Sequence, residues 1–253
     1  MRHFLYSYQT CVTFSHPITN HAFRLRCQPA ETAVQQILKQ DLTVSPGCWL
    51  LTGQDGLGNR TVTGGNNAPH SAFAYLSSGL VAIDDTAVQA SGNDCLYRFH
   101  TQLTAPVAEF ASLETPIGST FDKAALICQQ VNQLISYQPG VTAATTPVSG
   151  VMEHKQGVCQ DYAHVMVSVC RFFHLPARYV CGLMLGEGAT HAWVEVSDGN
   201  EWRPYDPTNN CMATNGYIKL AHGRDALDCS VCNGVFQGNA TQNTNVSVSV
   251  FEV

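Results

Sequence analysis

Over residues 157–176 the apolar positions recur with the period of a single helix face, and that face begins beside a cysteine. Gly157 breaks the preceding segment. From Val158 onward, Ala163, Met166, Val167, Cys170 and Phe173 follow an i, i+3, i+4 spacing. This predicts an amphipathic helix ending near His174 and Leu175, just ahead of Pro176. Cys159 then stands in the first turn, where free backbone N–H groups and the positive end of the helix dipole favour thiolate over thiol. Cysteine is among the most buried residue types and the chain has 11 of them, so residue type alone says little. Placement at a helix start is what sets Cys159 apart as a nucleophile.

The chain downstream supplies partners. Residues 177–185 carry the aromatic and aliphatic side chains of a buried strand, and residues 186–190 form a glycine-rich loop. In the strand that follows, His191, Trp193 and Glu195 share one face and Ala192, Val194 and Val196 the other. Asp198-Gly199-Asn200 signals a hairpin turn, and residues 201–205 return. His191 and Asp206 both occupy hairpin ends far from the turn, which brings them close together. A carboxylate there can hold the imidazole by one ring nitrogen while the other faces a thiol. Without Cys159 the pair would read as ordinary polar residues at a sheet edge. With it, Cys159, His191 and Asp206 are the nucleophile, base and orienting carboxylate of acyl transfer through a thioester.

Other groups nearby fit less well. His164 lies five residues after Cys159, ~140° around the helix, and reads as a packed or capping histidine. His154 precedes the helix and stays open as a base. Asp161 matches the helix dipole as a first-turn carboxylate. Cys229-Ser230-Val231-Cys232 is a lone C-x-x-C without a second pair or clustered histidines, so zinc or redox chemistry there is the weaker reading. The Cys159 backbone N–H is one half of an oxyanion hole, with Tyr137 and Trp193 as further candidates for oxyanion or substrate contacts.

The runs GVCQDYAH, LPARYVCG, HAWVEV and WRPYDPTNN resemble the bacterial transglutaminase-like superfamily, whose members include predicted cysteine peptidases. The likeness extends to a β-rich region from His21 to Asn59 and to a C-terminal extension from Gly223 to Val250. It implies Cys159 as nucleophile, His191 as base and Asp206 as orienting carboxylate. Some relatives use an indole donor shortly upstream of the cysteine. No tryptophan lies between Trp49 and Cys159 here, which leaves Tyr137 as the substitute.

The fold expected is α+β: a sandwich-like β-rich domain over residues 1–104, a papain- or transglutaminase-like core with helices on an antiparallel sheet over 105–228, and a C-terminal extension with a terminal strand over 229–253. Imperfect alternation over residues 4–14 predicts one strand, and Phe23, Leu25 and Cys27 line a second, short one. Residues 72–83 supply another, Thr120 is placed to cap a helix running through Ile135, and Val246, Val248 and Val250 mark a last strand that must join one of the two sheets.

Net charge is −6 with no Lys/Arg cluster, which argues against nucleic acid or an anionic membrane as partner. No run of 18 apolar residues suggests a membrane span, and residues 1–13 lack the apolar block of a signal peptide. An odd number of scattered cysteines argues for reduced thiols and a cytoplasmic home. No calcium-loop pattern occurs, and no cofactor or metal is implied. The expected activity is therefore that of a cysteine-dependent enzyme acting on a peptide or amide, with hydrolysis favoured. The alternatives are protein-glutamine transglutamination, in which an amine resolves the thioester, and a non-catalytic scaffold of the same fold. Self-association into a homo-oligomer is left open.

Overall fold

The computed structural model describes residues 1–92 and 94–253. The N-terminal part contains β1 (Arg2–Leu25), β2 (Gln35–Ser45), β3 (Trp49–Gln54), β4 (Arg60–Asn66), β5 (His70–Ile83) and the short β6 (Gln89–Ala90). The central part contains α1 (Thr120–Leu134), β7 (Ser136–Tyr137), α2 (Val148–His154), β8 (Gln156–Gly157), α3 (Cys159–Phe172), β9 (Ala177–Met184), β10 (Gly186–Gly188), β11 (His191–Ser197), β12 (Glu201–Asp206), β13 (Cys211–Met212) and β14 (Tyr217–Gly223). The chain closes with β15 (Cys232–Gln237) and β16 (Gln242–Glu252). The architecture is α+β, as expected.

The two N-terminal strands read from the alternation are one continuous strand. β1 runs for 24 residues and serves two sheets. Its first half pairs with β5 and β16, and beyond a register shift between Thr13 and Ile18 its second half pairs with β4 and β15. The irregularity is why the alternation looked interrupted: a bulge re-aims the strand without ending it. The core so enclosed is aromatic, with Phe4, Tyr8, Phe23, Phe73 and Tyr75 all buried. The terminal strand β16 joins this sheet, paired with β1 from Phe4↔Glu252 to Phe14↔Gln242. The glycine-rich segment after β9 is no simple loop either. Gly186–Gly188 forms β10, which adds to β16 and ties the central part to the N-terminal sheet.

The central sheet has the order β13-β12-β11-β9-β14, with β6 added at β12. Its Ala192, Val194 and Val196 face packs on the helices in one core with Ile127, Val131, Val165, Met166 and Val169. Leu183, Ile218 and Leu220 instead join the sandwich core, so the two layers share β9 and β14. α1 is capped by Ser119 rather than Thr120. Its hydroxyl accepts from Asp122 N at 3.2 Å while the Asp122 carboxylate accepts from Ser119 N at 3.0 Å, a reciprocal capping box.

α3 is buried on nearly every side, from Asp161 through Arg171, because α1 and α2 cover one flank and β9 and β11 the other. Even Arg171 is only 2% exposed. Its guanidinium donates to Tyr97 O, Thr104 Oγ1, Ala177 O and Arg224 O at 2.8–3.0 Å, satisfying the charge with three carbonyls and a hydroxyl from four segments. The helix that carries Cys159 is thus anchored through its last turn.

Candidate active site

Cys159 is the first residue of α3, partly buried against the helical core. The helix start is built by Asp161, whose Oδ2 accepts from Val158 N at 2.7 Å and from the Thr142 hydroxyl at 2.6 Å. This explains Gly157: a Cβ there would stand 2.5 Å from Asp161 Oδ2, so only glycine lets the carboxylate reach back to the turn. Burial raises the Asp161 pKa, and the Thr142 and Val158 hydrogen bonds offset part of that rise. The sequence reading of Asp161 as a dipole partner was therefore incomplete, since the residue also shapes the turn that presents Cys159.

The hairpin β11–β12 pairs Val194 with Tyr205 and Ser197 with Trp202, which sets His191 and Asp206 on the same face two residues apart in register. His191 Nε2 meets Asp206 Oδ2 at 2.7 Å. Cys159 lies close enough to the same imidazole to raise its pKa, and with Nε2 taken by Asp206 the free ring nitrogen is Nδ1. Burial works against a charge on His191, but Asp206 and Cys159 outweigh it and push the imidazole up to about 9. Cys159, His191 and Asp206 are thus contiguous.

Asp206 is fully buried and densely held. Oδ2 also accepts from Asn209 Nδ2 at 2.7 Å and Tyr217 OH at 2.8 Å, and Oδ1 accepts from Thr208 N at 2.8 Å and Asn209 N at 3.2 Å. Burial favours the neutral acid, yet His191, Tyr217 and Asn209 together hold the carboxyl below its ordinary range. From α1, Asn132 Nδ2 donates to Pro207 O at 3.0 Å and Thr208 O at 2.9 Å, clamping the loop after Asp206. Asn209 was within reach of the sequence, inside the WRPYDPTNN run. Tyr217 and Asn132 were not, because nothing local ties either to Asp206.

The remaining candidates separate. His164 is buried, its Nε2 accepts from Ala226 N at 3.1 Å, its ring packs on Tyr179, and burial pushes its pKa down to about 4. His154 is exposed at the end of α2. Tyr137 is 56% exposed on β7, paired in parallel with Gly157 of β8. Its phenol is pushed up by burial and by Cys159, which locates it on the thiol's side. Trp193 lies on the His191 face, 2% exposed, its ring edge-on to Tyr217 at 5.4 Å. A Cβ on Gly182 would stand 2.4 Å from the Trp193 ring, so that glycine makes room for the indole. Cys229 is buried with its thiol 3.7 Å from Tyr179 O, while Cys232 sits on β15 opposite Leu25. The cysteines other than Cys95 are free thiols. No metal-binding group of three or more His, Cys, Asp or Glu occurs among the described residues, and no helix there is long and apolar enough to cross a membrane.

Residues 108–207, which include Cys159, His191 and Asp206, match the transglutaminase-like superfamily. Residues 5–82 match the bacterial transglutaminase-like N-terminal region. An uncharacterized protein of Mycobacterium tuberculosis is 26% identical over 284 aligned residues, covering 96% of this chain and 90% of that protein. One from Mycobacterium leprae is 33% identical over 126 residues, and there the match spans only 46% of this chain and 45% of the relative. Among solved structures, a candidate cysteine protease from Cytophaga hutchinsonii superposes with a TM-score of 0.81 at 22% identity, covering 100% of this chain and 92% of that one, which shows a shared fold. The chain thus carries, in order, a bacterial transglutaminase-like N-terminal region and a core of the transglutaminase-like superfamily.

Proposed function

We propose that this protein is a cysteine-dependent enzyme that opens amide or peptide bonds through a thioester on Cys159 and passes the acyl group to water. The observation that carries the reading is the 2.7 Å His191 Nε2–Asp206 Oδ2 bond, with the Cys159 side chain on the same imidazole at the start of a buried helix. In this reading the Cys159 thiolate attacks the carbonyl carbon, and the oxyanion is met by the Cys159 N–H at the helix start. The exposed Tyr137 lies on the thiol's side as a second contact. The His191 imidazolium then gives its proton to the departing nitrogen. Water attacks the thioester, neutral His191 takes the water's proton, and collapse of the intermediate restores thiolate and imidazolium.

Asp206 keeps the imidazole in the tautomer and orientation this requires. Hydrolysis is favoured over amine transfer because a thioester in an open cleft faces water at tens of molar. The description of the Cytophaga protein as a candidate cysteine protease agrees with a peptide as substrate. The free thiols suit a reducing compartment, so cytoplasmic residence is part of the proposal. The test is intact-mass analysis after exposure to a peptide and amide library. An acyl adduct that maps to Cys159 and is absent from Cys159→Ala supports the reading, and turnover that survives Cys159→Ala refutes it.

A further inference from the structure

β3 ends one side of the N-terminal sheet: it pairs with β4 and with no other strand among the described residues. All six of its residues are exposed, so one row of its backbone N–H and C=O groups faces away from the sheet. Natural sheets guard such an edge with charge, a bulge or a short strand. The other ends of this sheet are guarded. β2 carries Lys39 and Asp41 and a register shift between Ile37 and Lys39, and β10 is three residues long with Glu187 at its centre. β15 leaves Val235 as its one large exposed apolar side chain, with Asn233 and Gln237 on the same strand.

β3 has none of these devices. Its sequence, Trp49-Leu50-Leu51-Thr52-Gly53-Gln54, holds no charge and no proline, and its register with β4 is unbroken. Trp49, Leu50 and Leu51 stand 57, 43 and 67% exposed in succession. An uncharged apolar edge of this kind is a template for pairing with another strand.

The side chains say which strand fits. Leu50 lies opposite Gly64, where a Cβ would meet Leu50 Cδ2 at 2.8 Å and the Phe23 ring at 2.5 Å, so Leu50 leans back toward the sandwich core. On the other face Trp49 lies opposite Gly65, where a Cβ would stand 3.0 Å from the indole. The indole therefore rests over a glycine. Leu51 and Gly53 follow on that same face, and the nearest atom to a Cβ on Gly53 would be Thr61 Oγ1 at 3.6 Å, which leaves a second bare position. Trp49 and Gly53 stand two residues to either side of Leu51. A two-fold axis at Leu51 thus lays each Trp49 beside Gly53 of the second copy, as it already lies beside Gly65, and brings the two Leu51 side chains together. On the opposite face Leu50 meets Thr52 of the second copy.

We propose that β3 is the interface of a homodimer, paired antiparallel with β3 of a second copy about a two-fold axis at Leu51. A second copy is the occupant because the complement required, an uncharged strand with a glycine placed to receive each indole, is β3 itself, as an isologous contact demands. No like charges oppose the approach: the carboxylate next along the chain, Asp55, is held at 2.9 Å by Arg26 of its own chain. The exposed side chains and the backbone row bury on the order of 1,000 Å² in total, the lower end for a specific interface, which points to a reversible dimer with a Kd of roughly 1–100 µM.

The experiment is sedimentation velocity of the full chain from about 1 to 300 µM, a range that brackets that Kd. The wild type should move from 27.4 kDa toward twice that mass as concentration rises. Leu51→Lys sets two ammonium groups together at the axis and Leu51→Glu two carboxylates, so each variant alone should stay monomeric. An equimolar mixture of the two should dimerise again at the upper end of the range, because the axis then joins Lys to Glu. Leu51 is exposed, so both variants keep the fold, and recovery on mixing is a readout that misfolding cannot give. A wild type that stays monomeric throughout, which leaves the edge to a foreign strand, overturns the proposal. So does a dimer that survives Leu51→Lys, or a mixture that fails to reassociate. None of these outcomes bears on acylation at Cys159.

Discussion

Replacing Asp206 by asparagine isolates what the buried carboxylate does for His191. An ordinary histidine titrates near 6.5 and this one near 9, a preference for imidazolium of about 3 kcal/mol. Burial opposes that preference, and Asp206 supplies its largest favourable part, with Cys159 contributing less. Assigning about 2 kcal/mol to Asp206 lowers the imidazole by ~1.5 pH units in Asp206→Asn, so the imidazolium stays the main form at neutral pH and is lost earlier than in the wild type between roughly pH 7.5 and 9. The amide also meets Tyr217 OH, Asn209 Nδ2 and His191 Nε2 with a donor where Oδ2 had accepted from all three. The neutral imidazole is then pushed toward the wrong tautomer. The assay is the iodoacetamide alkylation rate of Cys159 by peptide mass from pH 6 to 10, beside a thermal melt of each protein. The wild type should alkylate Cys159 ahead of its other thiols at pH 6.5, and in Asp206→Asn that advantage should fade ~1.5 pH units earlier as pH rises. An unchanged pH profile in a variant that melts cooperatively would refute the electrostatic role given to Asp206.

Other perturbations have equally definite outcomes. Gly157→Ala should cost about 1–3 kcal/mol and slow Cys159 alkylation, because the new Cβ forces the Asp161 carboxylate off the turn; an unchanged melting temperature would sink that account. His164, held near 4 by burial, contributes stability that is present above pH 6.5 and lost as pH falls from 6.5 toward 4, about 3 kcal/mol in all, and His222 acts in the same direction. His191 has the opposite sign, its contribution present below pH 6.5 and lost as pH rises through about 9, so urea midpoints should peak between these limits. His164→Gln should flatten the acid limb while leaving Cys159 alkylation unaltered; a midpoint equal at pH 5 and 7.5 in the wild type would contradict the assignment. With a glutamine peptide and a labelled primary amine, free acid should dominate over cross-linked product by mass, and the reverse ratio would make amine transfer the primary activity.

The local chemistry was legible from residues alone. Helical periodicity with Gly157 before it and Pro176 after it placed Cys159 at a helix start, since a 3.6-residue repeat and its breakers are properties of neighbouring residues. The Asp198-Gly199-Asn200 turn set the hairpin, and a hairpin's register follows from its turn, so the approach of His191 and Asp206 was legible as well. Tertiary structure decided what lies beyond such local rules. β1 passes between two sheets through an irregularity that alternation reads as an ending. β10 and β16 pair across some 60 residues of chain, a partnership that backbone hydrogen bonds allow anywhere and only packing selects. Tyr217 and Asn132 reach Asp206 and its loop from other elements, which nothing in their local sequence announces. Periodicity and turns report which face of an element is buried; which faces then meet is decided by the shapes and charges that fit.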